Sequence, residues 1–456
     1  MFGYVWDKDG EHEARQKMKK ILIVTTIGGF LPQFEMNDVK ILMEQGYEVH
    51  YASNFTNPVY KLDTRSLEQM GIRLHPVDIQ KSPLRFRSNL QALREIISII
   101  RREGISVVHC HNPMGGVLGR LAAVAAGLPG LYVIYTAHGF HFYDGAPLLN
   151  WLLFFPVEYL LAGYTDTLIT INKEDDARAR RFFSGRRRSS EAAVRPDERD
   201  EWRSSEAAVR PGERGERRPS GVAVGSVVRG VTRTFSGAGR KSIYRIPGVG
   251  VKTARFAPNP HVREKVRRAL RIEDGTFYIL SVGELNRNKN HEVIIRAIAS
   301  LNDPDICYGI CGKGYRLEYL KELAREKGIE RQVRFFGFRN DIPEMLQGAD
   351  CFAFPSRREG LGIAALEAMA AGLPMITSDC RGTREYMEDN VTGYVCRSGR
   401  AVEYAGLIRK MKENPQKRRE MSRVCQRVAE KFNLDRTDRI MREIYGKLEM
   451  AESVID

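Results

Sequence analysis

Two carboxylates, Glu359 and Glu367, lie eight residues apart across a glycine-flanked turn. The apolar segment 351–356 before the turn is typical of a short buried strand, and the Ala-rich run 363–371 after it is typical of a helix. The glycines between them would let a ligand approach the backbone closely. A strand, a glycine-rich turn and a helix N-terminus form an anion site, because free N–H groups and the helix dipole point at the ligand.

The spacing of the two acids suggests what that anion could be. Glu367 would lie in the second turn of the helix, about 12 Å along from Glu359 at ~1.5 Å per residue, and a pyrophosphate with a sugar at each end could span that gap. An acid on an apolar helix needs partners, and a ribose diol offers two hydroxyl donors to one carboxylate. The alternative is a surface Glu beside a turn and a helical Glu without a special partner.

The composition limits the class of protein. The chain has 456 residues, a formal net charge of +15 and 43% hydrophobic residues, which suits two ordinary domains with real cores. The positive charge indicates an anionic partner, which could be nucleotide phosphates, an acidic membrane surface or nucleic acid. Seven irregularly spaced cysteines and no recognisable signal peptide favour a reducing cytoplasm. Cys307 and Cys311 lack a second ligand pair for zinc and are predicted to be buried strand residues.

Strands and helices alternate along the chain, twice. The predicted strands are 20–25, 47–52, 105–110, 131–136 and 166–171, then 276–283, 306–311, 332–337, 350–355 and 374–378. Apolar β-branched runs separated by longer helices indicate parallel sheets, hence an α/β protein with two doubly wound, Rossmann-like domains. Ligands of such sheets bind beyond the carboxyl ends of the strands. No GxGxxG motif follows the first strand, which argues against a dinucleotide dehydrogenase.

Residues 184–241 interrupt this alternation. The sequence RSSEAAVRP occurs at 188–196 and again at 203–211, and the segment carries 14 basic against 8 acidic residues. Such a composition cannot bury enough apolar surface to order a chain, and two repeats are too few for a solenoid. We predict a disordered insertion. Binding of RNA or anionic lipid is the alternative, although Trp202 and Phe235 are its only aromatic residues.

Several loops follow predicted strands and carry polar side chains. His138 stands at a strand end beside Gly139; such a histidine is often only a satisfied polar residue, but a glycine-bearing loop facing the other domain favours binding or catalysis. The loop 282–290 carries Arg287 and Lys289, whose charges suit phosphate oxygens, although a solvated charge run is the default. Two further strand-end loops, 309–320 and 335–346, contain a GxG turn at 312–314 and the bulky Phe338, which could lie near a base.

Taken together, these motifs resemble the family 4 retaining glycosyltransferases of the GT-B fold, especially their bacterial capsule and exopolysaccharide branch. The resemblance is carried by E-x7-E at 359–367, His-Gly at 138–139, glycine and lysine six apart at 283 and 289, and the phrases VHCHNPMGGVLGRLAA, YTAHGFHFYDGAPLLNWLLF and IPGVGV. It covers nearly all of residues 19–447 outside the 184–241 insertion. Each motif alone is weak, but their order and spacing together are specific.

The resemblance implies a role for each matching residue. Glu367 would bind the nucleotide ribose, Glu359 would contact the donor sugar, and Lys289 would neutralise the diphosphate leaving group, where negative charge develops. The implied catalytic residues are His138, Glu359 and Lys289; the donor-binding residues are Gly283, Arg287, Gly312, Phe338, Arg339, Gly360, Leu361, Gly362 and Glu367; and Gly28 and Gly29 form the acceptor-side loop.

One position departs from the family pattern. An arginine usually follows the glycine of the lysine loop, but Glu284 stands here, and Arg287 could supply the second positive charge. No cofactor and no metal site are predicted, because the D-x-D of Asp303 and Asp305 looks like a turn before a strand. No acid in the strand-end loops of the first domain is an obvious nucleophile. The resemblance therefore implies front-face attack, with the departing phosphate helping to deprotonate the acceptor.

The predicted organisation is an N-terminal extension (1–18), an acceptor-side domain (19–183), the insertion (184–241), a nucleotide-sugar-binding domain (242–415), and C-terminal helices (416–456) that pack back on the first domain. The domain crossing is expected near 246–251.

We thus predict a retaining glycosyltransferase that moves a hexose or N-acetylhexosamine from a nucleotide-diphosphate sugar, with UDP favoured, to a glycan or lipid-linked sugar acceptor in surface polysaccharide synthesis. The alternatives are a GT-B-fold sugar-nucleotide epimerase and a catalytically impaired membrane- or RNA-binding derivative.

The expected location is the cytoplasm, at the inner face of the plasma membrane, and no nucleic acid partner is expected. The apolar segment 146–163 and the basic residues Arg85, Arg87, Arg94, Arg101 and Arg102 could contact an anionic membrane. Pro147, Pro156 and Glu158 interrupt the apolar segment, so a core helix is the alternative.

Overall fold

The computed structural model describes residues 19–56, 58–183 and 241–452. They form two parallel α/β sheets of seven and six strands, which confirms the predicted fold. The predictions of an N-terminal extension at 1–18 and of a disordered insertion at 184–241 fall outside the described residues, except for Lys241.

The first sheet has the order β3-β2-β1-β4-β5-β6-β7, with all neighbours parallel. Its strands are β1 (Lys20–Val24), β2 (Glu48–Ser53), β3 (Arg73–Pro76), β4 (Val107–His111), β5 (Tyr132–Ala137), β6 (Thr167–Thr170) and β7 (Ser242–Arg245). Its helices are α1 (Met36–Glu44), α2 (Thr64–Gln69), α3 (Phe86–Glu103), α4 (Pro113–Ala126), α5 (Leu148–Leu161) and α6 (Lys173–Phe183). A π-helical turn at Leu31–Glu35 precedes α1.

The second sheet has the order β10-β9-β8-β11-β12-β13 and is also parallel. Its strands are β8 (Phe277–Val282), β9 (Ile306–Cys311), β10 (Val333–Gly337), β11 (Cys351–Phe354), β12 (Met375–Ser378) and β13 (Gly393–Cys396). The helices are α7 (Pro260–Ala269), α8 (His291–Leu301), α9 (Leu317–Glu326), α10 (Ile342–Gln347), α11 (Ile363–Ala370), α12 (Ala401–Glu413), α13 (Pro415–Glu430) and α14 (Leu434–Glu452). Cys307 and Cys311 lie buried on β9, as predicted.

Both faces of each sheet are covered, as the apolar strand sequences require. In β1, Ile21 and Ile23 belong to one buried cluster while Leu22 and Val24 belong to another, because successive strand residues point to opposite faces. The cluster that contains Ile21 continues to Phe352 of the second sheet. The two domains therefore share an apolar core at their junction.

The predicted domain boundary at residue 242 is wrong. Residues Ser242–Arg245 form β7, which pairs in parallel with β6 and extends the first sheet. Like β3 and β13, it is a four-residue strand without a long apolar run, so the hydrophobic pattern did not reveal it. The chain crosses between domains after this strand, consistent with the crossing expected near 246–251.

The C-terminal helices do not all return to the first domain. Helix α13 packs on α11 and α12 of the second domain, whereas α14 packs on α1 of the first. The segment between α13 and α14, where the chain returns to the first domain, runs beside the segment after β7, where the chain first leaves it. Val251 N donates to Phe432 O (2.9 Å), and Leu434 N donates to Val251 O (2.9 Å). The two crossings thus form one hydrogen-bonded joint.

Candidate functional site

The E-x7-E turn is held in a conformation that needs glycine. Strand β11 ends at Phe354, and Gly362 caps α11 with φ +90°. A Cβ at Gly362 would stand 2.8 Å from a ring carbon of Phe354. The left-handed backbone and the lack of space both exclude a side chain, so the turn stays open above the N-terminus of α11.

Glu359 and Lys289, predicted to act on sugar and phosphate, are in direct contact. Lys289 Nζ lies 2.7 Å from Glu359 Oε1, and both side chains are partly buried. The two loops are also joined by two hydrogen bonds, one between their backbones and one from a side chain: Arg357 N donates to Asn288 O (2.8 Å), and Asn288 Nδ2 donates to Arg358 O (2.9 Å). The lysine loop and the glutamate loop therefore form one unit at the carboxyl ends of β8 and β11.

The predicted glycines of the neighbouring strands also meet. A Cβ at Gly312, whose φ is +154°, would lie 1.9 Å from the carbonyl oxygen of Gly283. Only glycine at residue 312 lets the loops after β8 and β9 approach this closely. The resulting backbone concavity lies beside Lys289, whose side-chain carbons pack over Gly283.

The other charged residues of this region differ in whether an ion pair already neutralises their side chains. Arg287 and Glu284 are exposed, and no ion pair of either side chain is found among the described residues. Arg339 is already neutralised, because its Nε donates to Asp341 Oδ1 at 2.7 Å. Phe338 extends its ring into solvent, with 64% of the residue exposed. Unlike Arg339, Arg287 thus has a charge that no described carboxylate neutralises, and it can contact a bound anion beside Lys289.

Glu367, the second acid of the E-x7-E motif, lies in a largely apolar environment. It lies on α11 among buried apolar residues, and burial raises the pKa of its carboxyl to about 7, against a smaller lowering effect of Arg255. Within the described ranges, its carboxylate has no hydrogen-bond partner. A pair of hydroxyl donors would satisfy it, as the ribose prediction requires.

His138 lies at the end of β5 in a buried polar cluster that the sequence reading missed. Its Nε2 is 3.1 Å from His111 Nδ1 and 3.6 Å from Glu35 Oε1. Burial lowers the pKa of His138 to about 4, so the imidazole is neutral near pH 7. Asp38, whose pKa burial raises to about 7, accepts a 2.9 Å hydrogen bond from Tyr445 of α14. Helix α14 therefore contributes to the packing behind His138.

The pattern H-x-H at 109–111 was the available signal for this cluster, because strand residues two apart point to the same face and β4 adjoins β5. Glu35, Asp38 and Tyr445 carried no local signal. They reach the cluster only because a π-helical turn and the last helix pack there.

The two halves of the site meet across the domain boundary. A Cβ at Gly360 would lie 2.3 Å from the carbonyl oxygen of His138, so the His-Gly loop and the E-x7-E turn touch. Beside them, Arg381 Nη1 contacts Asp175 Oδ1 at 2.8 Å in a buried interdomain ion pair. Neither residue was predicted, because an isolated Arg and Asp have no sequence signature.

The acceptor-side glycines pack tightly against the next loop of the first domain. Gly28 N donates to Asn54 O (2.9 Å), and a Cβ at Gly29 would stand 2.6 Å from the carbonyl oxygen of Tyr60. Burial, followed by the charges of Glu284 and Glu359, raises the pKa of Tyr60. Tyr60 therefore lies within electrostatic reach of the second domain's loops.

Helix α5 is not the core helix that was one reading of residues 146–163. Five of its leucines, at 148, 149, 152, 153 and 160, are each more than half exposed, with Leu148 at 73%. Its one charged residue, Glu158, is buried and paired with Arg120 Nη2 at 2.9 Å. In the part of the chain that the structure describes, no helix is long and apolar enough to cross a bilayer.

Two Rossmann-like domains whose strand-end loops meet in this way form the GT-B fold. Residues 36–197 match the family described as "Glycosyl transferase 4-like domain", and residues 262–427 match "Glycosyl transferases group 1". The chain belongs to this glycosyltransferase family and is a transferase, which confirms the family and the reaction class predicted from sequence.

Individual relatives are similar over different lengths. EpsD of Bacillus subtilis, assigned as a glycosyltransferase, is 34% identical over 94% of this chain and 96% of its own length. An Escherichia coli UDP-Gal:alpha-D-GlcNAc-diphosphoundecaprenol alpha-1,3-galactosyltransferase is 25% identical over 67% of this chain and 66% of its own. The crystal structure of Anabaena HepE with UDP and glucose has a TM-score of 0.66 at 18% identity, covering 94% of this chain and 99% of that one. That likeness supports the fold.

Proposed function

We propose that this glycosyltransferase transfers a hexose or N-acetylhexosamine from a UDP-sugar, with retention, to a glycan or lipid-linked sugar during surface polysaccharide synthesis. The observation that carries the proposal is the contact between Lys289 and Glu359, on a turn whose next residue, Gly360, touches the backbone of His138. It provides a cation for a diphosphate, a carboxylate for sugar hydroxyls and a neutral imidazole, all at one interdomain cleft. The UDP-Gal donor and the diphosphoundecaprenol-linked acceptor in the name of the Escherichia coli relative support this class of substrates, as do the UDP and glucose bound to HepE.

The donor would lie along the second domain. Glu367 would accept hydrogen bonds from the ribose hydroxyls, and Gly360, Leu361 and Gly362 would present backbone N–H groups to the diphosphate. Lys289 and Arg287 would stabilise the negative charge that develops on the leaving diphosphate. Glu359 would then exchange part of its contact with Lys289 for the sugar hydroxyls.

The transfer step would proceed on one face of the sugar. The bond between the anomeric carbon and the β-phosphate oxygen breaks, and the acceptor oxygen bonds to the same carbon from the same side. The acceptor proton passes to the departing diphosphate oxygen. His138, neutral near pH 7, would hydrogen-bond a sugar hydroxyl near the reacting carbon instead of acting as a cation.

A panel of nucleotide sugars tests the proposal. The full chain would be incubated with UDP-, GDP- and ADP-sugars, and UDP, GDP or ADP release would be measured with and without membrane-extracted lipid-linked acceptors. We expect one UDP-sugar to be used, with an acceptor-dependent product of unchanged anomeric configuration. Conversion of the sugar without any acceptor would support the epimerase alternative. Unchanged UDP affinity in Glu367→Ala would contradict the donor site proposed here.

Peripheral membrane contact is proposed for helix α5. Its exposed leucines form i, i+4 rows such as 148–152 and 149–153, which could enter the interfacial region of a bilayer. Exposed Arg85, Arg87 and Arg94 on or beside α3 could face anionic lipid, whereas Arg101 donates to the carbonyls at the end of α4. Replacing Leu149, Leu152 and Leu153 by serine should release the protein from phosphatidylglycerol vesicles in a sedimentation assay. Equal sedimentation of both proteins would dismiss this contact.

A further inference from the structure

Three metal-ligating atoms converge behind the cleft. Glu35 Oε1, His111 Nδ1 and His138 Nε2 form a triangle with sides of 3.1 Å between the two imidazoles, 3.6 Å from Glu35 to His138, and 3.7 Å from Glu35 to His111. Glu35 ends the π-helical turn before α1, His111 ends β4, and His138 follows β5. Three separate elements therefore aim one donor atom each at one point.

One oxygen of the carboxylate in this triangle lacks a hydrogen-bond partner among the described residues, although Asp38 contacts the same carboxyl group. Glu35 is 5% exposed, and its Oε1 is buried without a hydrogen-bond partner among the described residues. No Lys or Arg in the described ranges forms an ion pair with Glu35 or with the adjacent Asp38. Buried carboxylate oxygens are normally hydrogen-bonded or bound to a cation, because leaving them unsatisfied is unfavourable. The arrangement is therefore incomplete without a further group.

The distances identify the kind of group that fits. Direct hydrogen bonds would bring the Glu35 oxygen to within about 2.7–3.2 Å of an imidazole nitrogen. Tetrahedral ligands at zinc–nitrogen and zinc–oxygen bonds of about 2.0–2.1 Å are separated by roughly 3.3–3.4 Å. The three observed separations, 3.1, 3.6 and 3.7 Å, bracket that value. Two histidines and one glutamate are also a recurrent ligand set for zinc.

We propose that Glu35, His111 and His138 bind a Zn²⁺-type divalent transition-metal ion. A small cavity of about 10 Å³ adjoins Glu35 and His138, which is roughly the space that one water needs. That water would be the fourth ligand. Asp38, beside Glu35 and held by the Tyr445 hydroxyl at 2.9 Å, would orient the glutamate from behind.

The site has a consequence for transfer, and this consequence rests on the proposed function. Zinc on His138 Nε2 would fix the proton of the imidazole on Nδ1, so the ring could donate to a sugar hydroxyl but could no longer accept from one, and the ion would inhibit the enzyme. It would not assist the leaving group, because Lys289 and Arg287 belong to a different set of loops. Zinc should therefore lower turnover, and a chelator should restore it.

The binding test uses the full chain after removal of metal by a chelator. Zn²⁺ would be titrated calorimetrically, and Co²⁺ would be added to record the visible bands of tetrahedral cobalt. We expect one ion per chain, and affinity at least about 100-fold weaker in Glu35→Gln and His111→Asn, which remove a ligand. The matched control is His75→Asn: His75 pairs with His50 at 2.9 Å in the same domain but, among the residues that the structure describes, belongs to no group of three metal-ligating side chains.

Different results would contradict the metal site and the role of His138 in transfer. No ion bound by the wild-type chain, an octahedral cobalt spectrum, or equal affinity in Glu35→Gln would overturn the metal site. Glu35→Gln preserves the side-chain shape, and thermal unfolding of each variant without metal would show that it folds. Tetrahedral cobalt binding without inhibition would leave the metal site standing and would contradict only the role proposed for His138 in transfer.

Discussion

Lys289 Nζ lies 2.7 Å from Glu359 Oε1, so the cation assigned to the phosphate and the acid assigned to the sugar neutralise each other across two loops. The pair is anchored by one backbone hydrogen bond and one hydrogen bond from the Asn288 side chain between the same loops. A diphosphate that enters this site meets a lysine whose position is already fixed. Such pre-organisation reduces the reorganisation needed when charge develops on the leaving group.

Removing the lysine charge should therefore affect the chemical step. We expect Lys289→Met to lower kcat by about 10²- to 10³-fold, the usual range for losing one group that stabilises developing charge. Steady-state kinetics with the preferred donor would measure it. Lys321→Met, an exposed lysine paired with Glu318, is the matched control and should leave kcat unchanged. An equally active Lys289→Met variant would remove Lys289 from the site.

Arg287 is expected to compensate for Glu284. Both side chains are exposed on the lysine loop, so the donor diphosphate meets one additional positive and one additional negative charge. Arg287→Ala should weaken UDP binding by about tenfold, as expected for losing one charge-assisted hydrogen bond, and Glu284→Arg should strengthen it. Calorimetric titration with UDP measures both. Arg331→Ala, at the opposite end of β10, should bind UDP like the wild type.

Nucleotide binding should depend on the ionisation of Glu367. Burial raises the pKa of its carboxyl to about 7, and the ionised form accepts hydroxyl donors better. The affinity for UDP should fall as the pH is lowered from 8 to 6, by up to about tenfold per unit below the pKa. In Glu367→Gln, UDP affinity should be weaker and nearly independent of pH over this range. A wild-type profile parallel to that of the variant would show that Glu367 does not contact the ribose.

The buried ion pair between Arg381 and Asp175 should hold the domains together. Its side chains are 6% and 0% exposed. Arg381→Met would leave Asp175 buried without its cation, and we expect the free energy of unfolding to fall by about 3–5 kcal/mol. Urea denaturation would measure the change. Arg384→Ala removes an exposed ion pair with Asp379 and should cost less than about 1 kcal/mol. Equal losses in the two variants would contradict a special role for the buried pair.

Acid should destabilise the second domain through His291. Burial lowers the pKa of this histidine to about 3, while the unfolded chain takes up a proton near 6.5. Stability due to neutral His291 is therefore complete above pH 6.5 and is lost as the pH falls towards 3, with a slope of up to about 1.4 kcal/mol per unit. Thermal unfolding between pH 7 and 4 should show a shallower decline for His291→Gln. Parallel curves for the two proteins would rule out this contribution.

The pattern of the sequence determined much of the fold. Ten strands were predictable, because apolar β-branched runs such as those of β1 and β8 are typical of strands buried on both faces of a parallel sheet. The same pattern placed Glu359, Lys289 and His138 at the carboxyl ends of strands. Short strands such as β7 lack that signal, and the domain boundary was misplaced for that reason.

Only the tertiary structure decided which of these residues meet. The contact of Lys289 with Glu359 joins positions 70 residues apart, and the hydrogen bond from Tyr445 to Asp38 joins positions 407 apart. Such contacts depend on how sheets and helices pack, whereas a sequence pattern reports only the local period of burial. Glu35, Asp175, Arg381 and Tyr445 were therefore invisible in the sequence, because their role arises from the groups brought beside them by the fold.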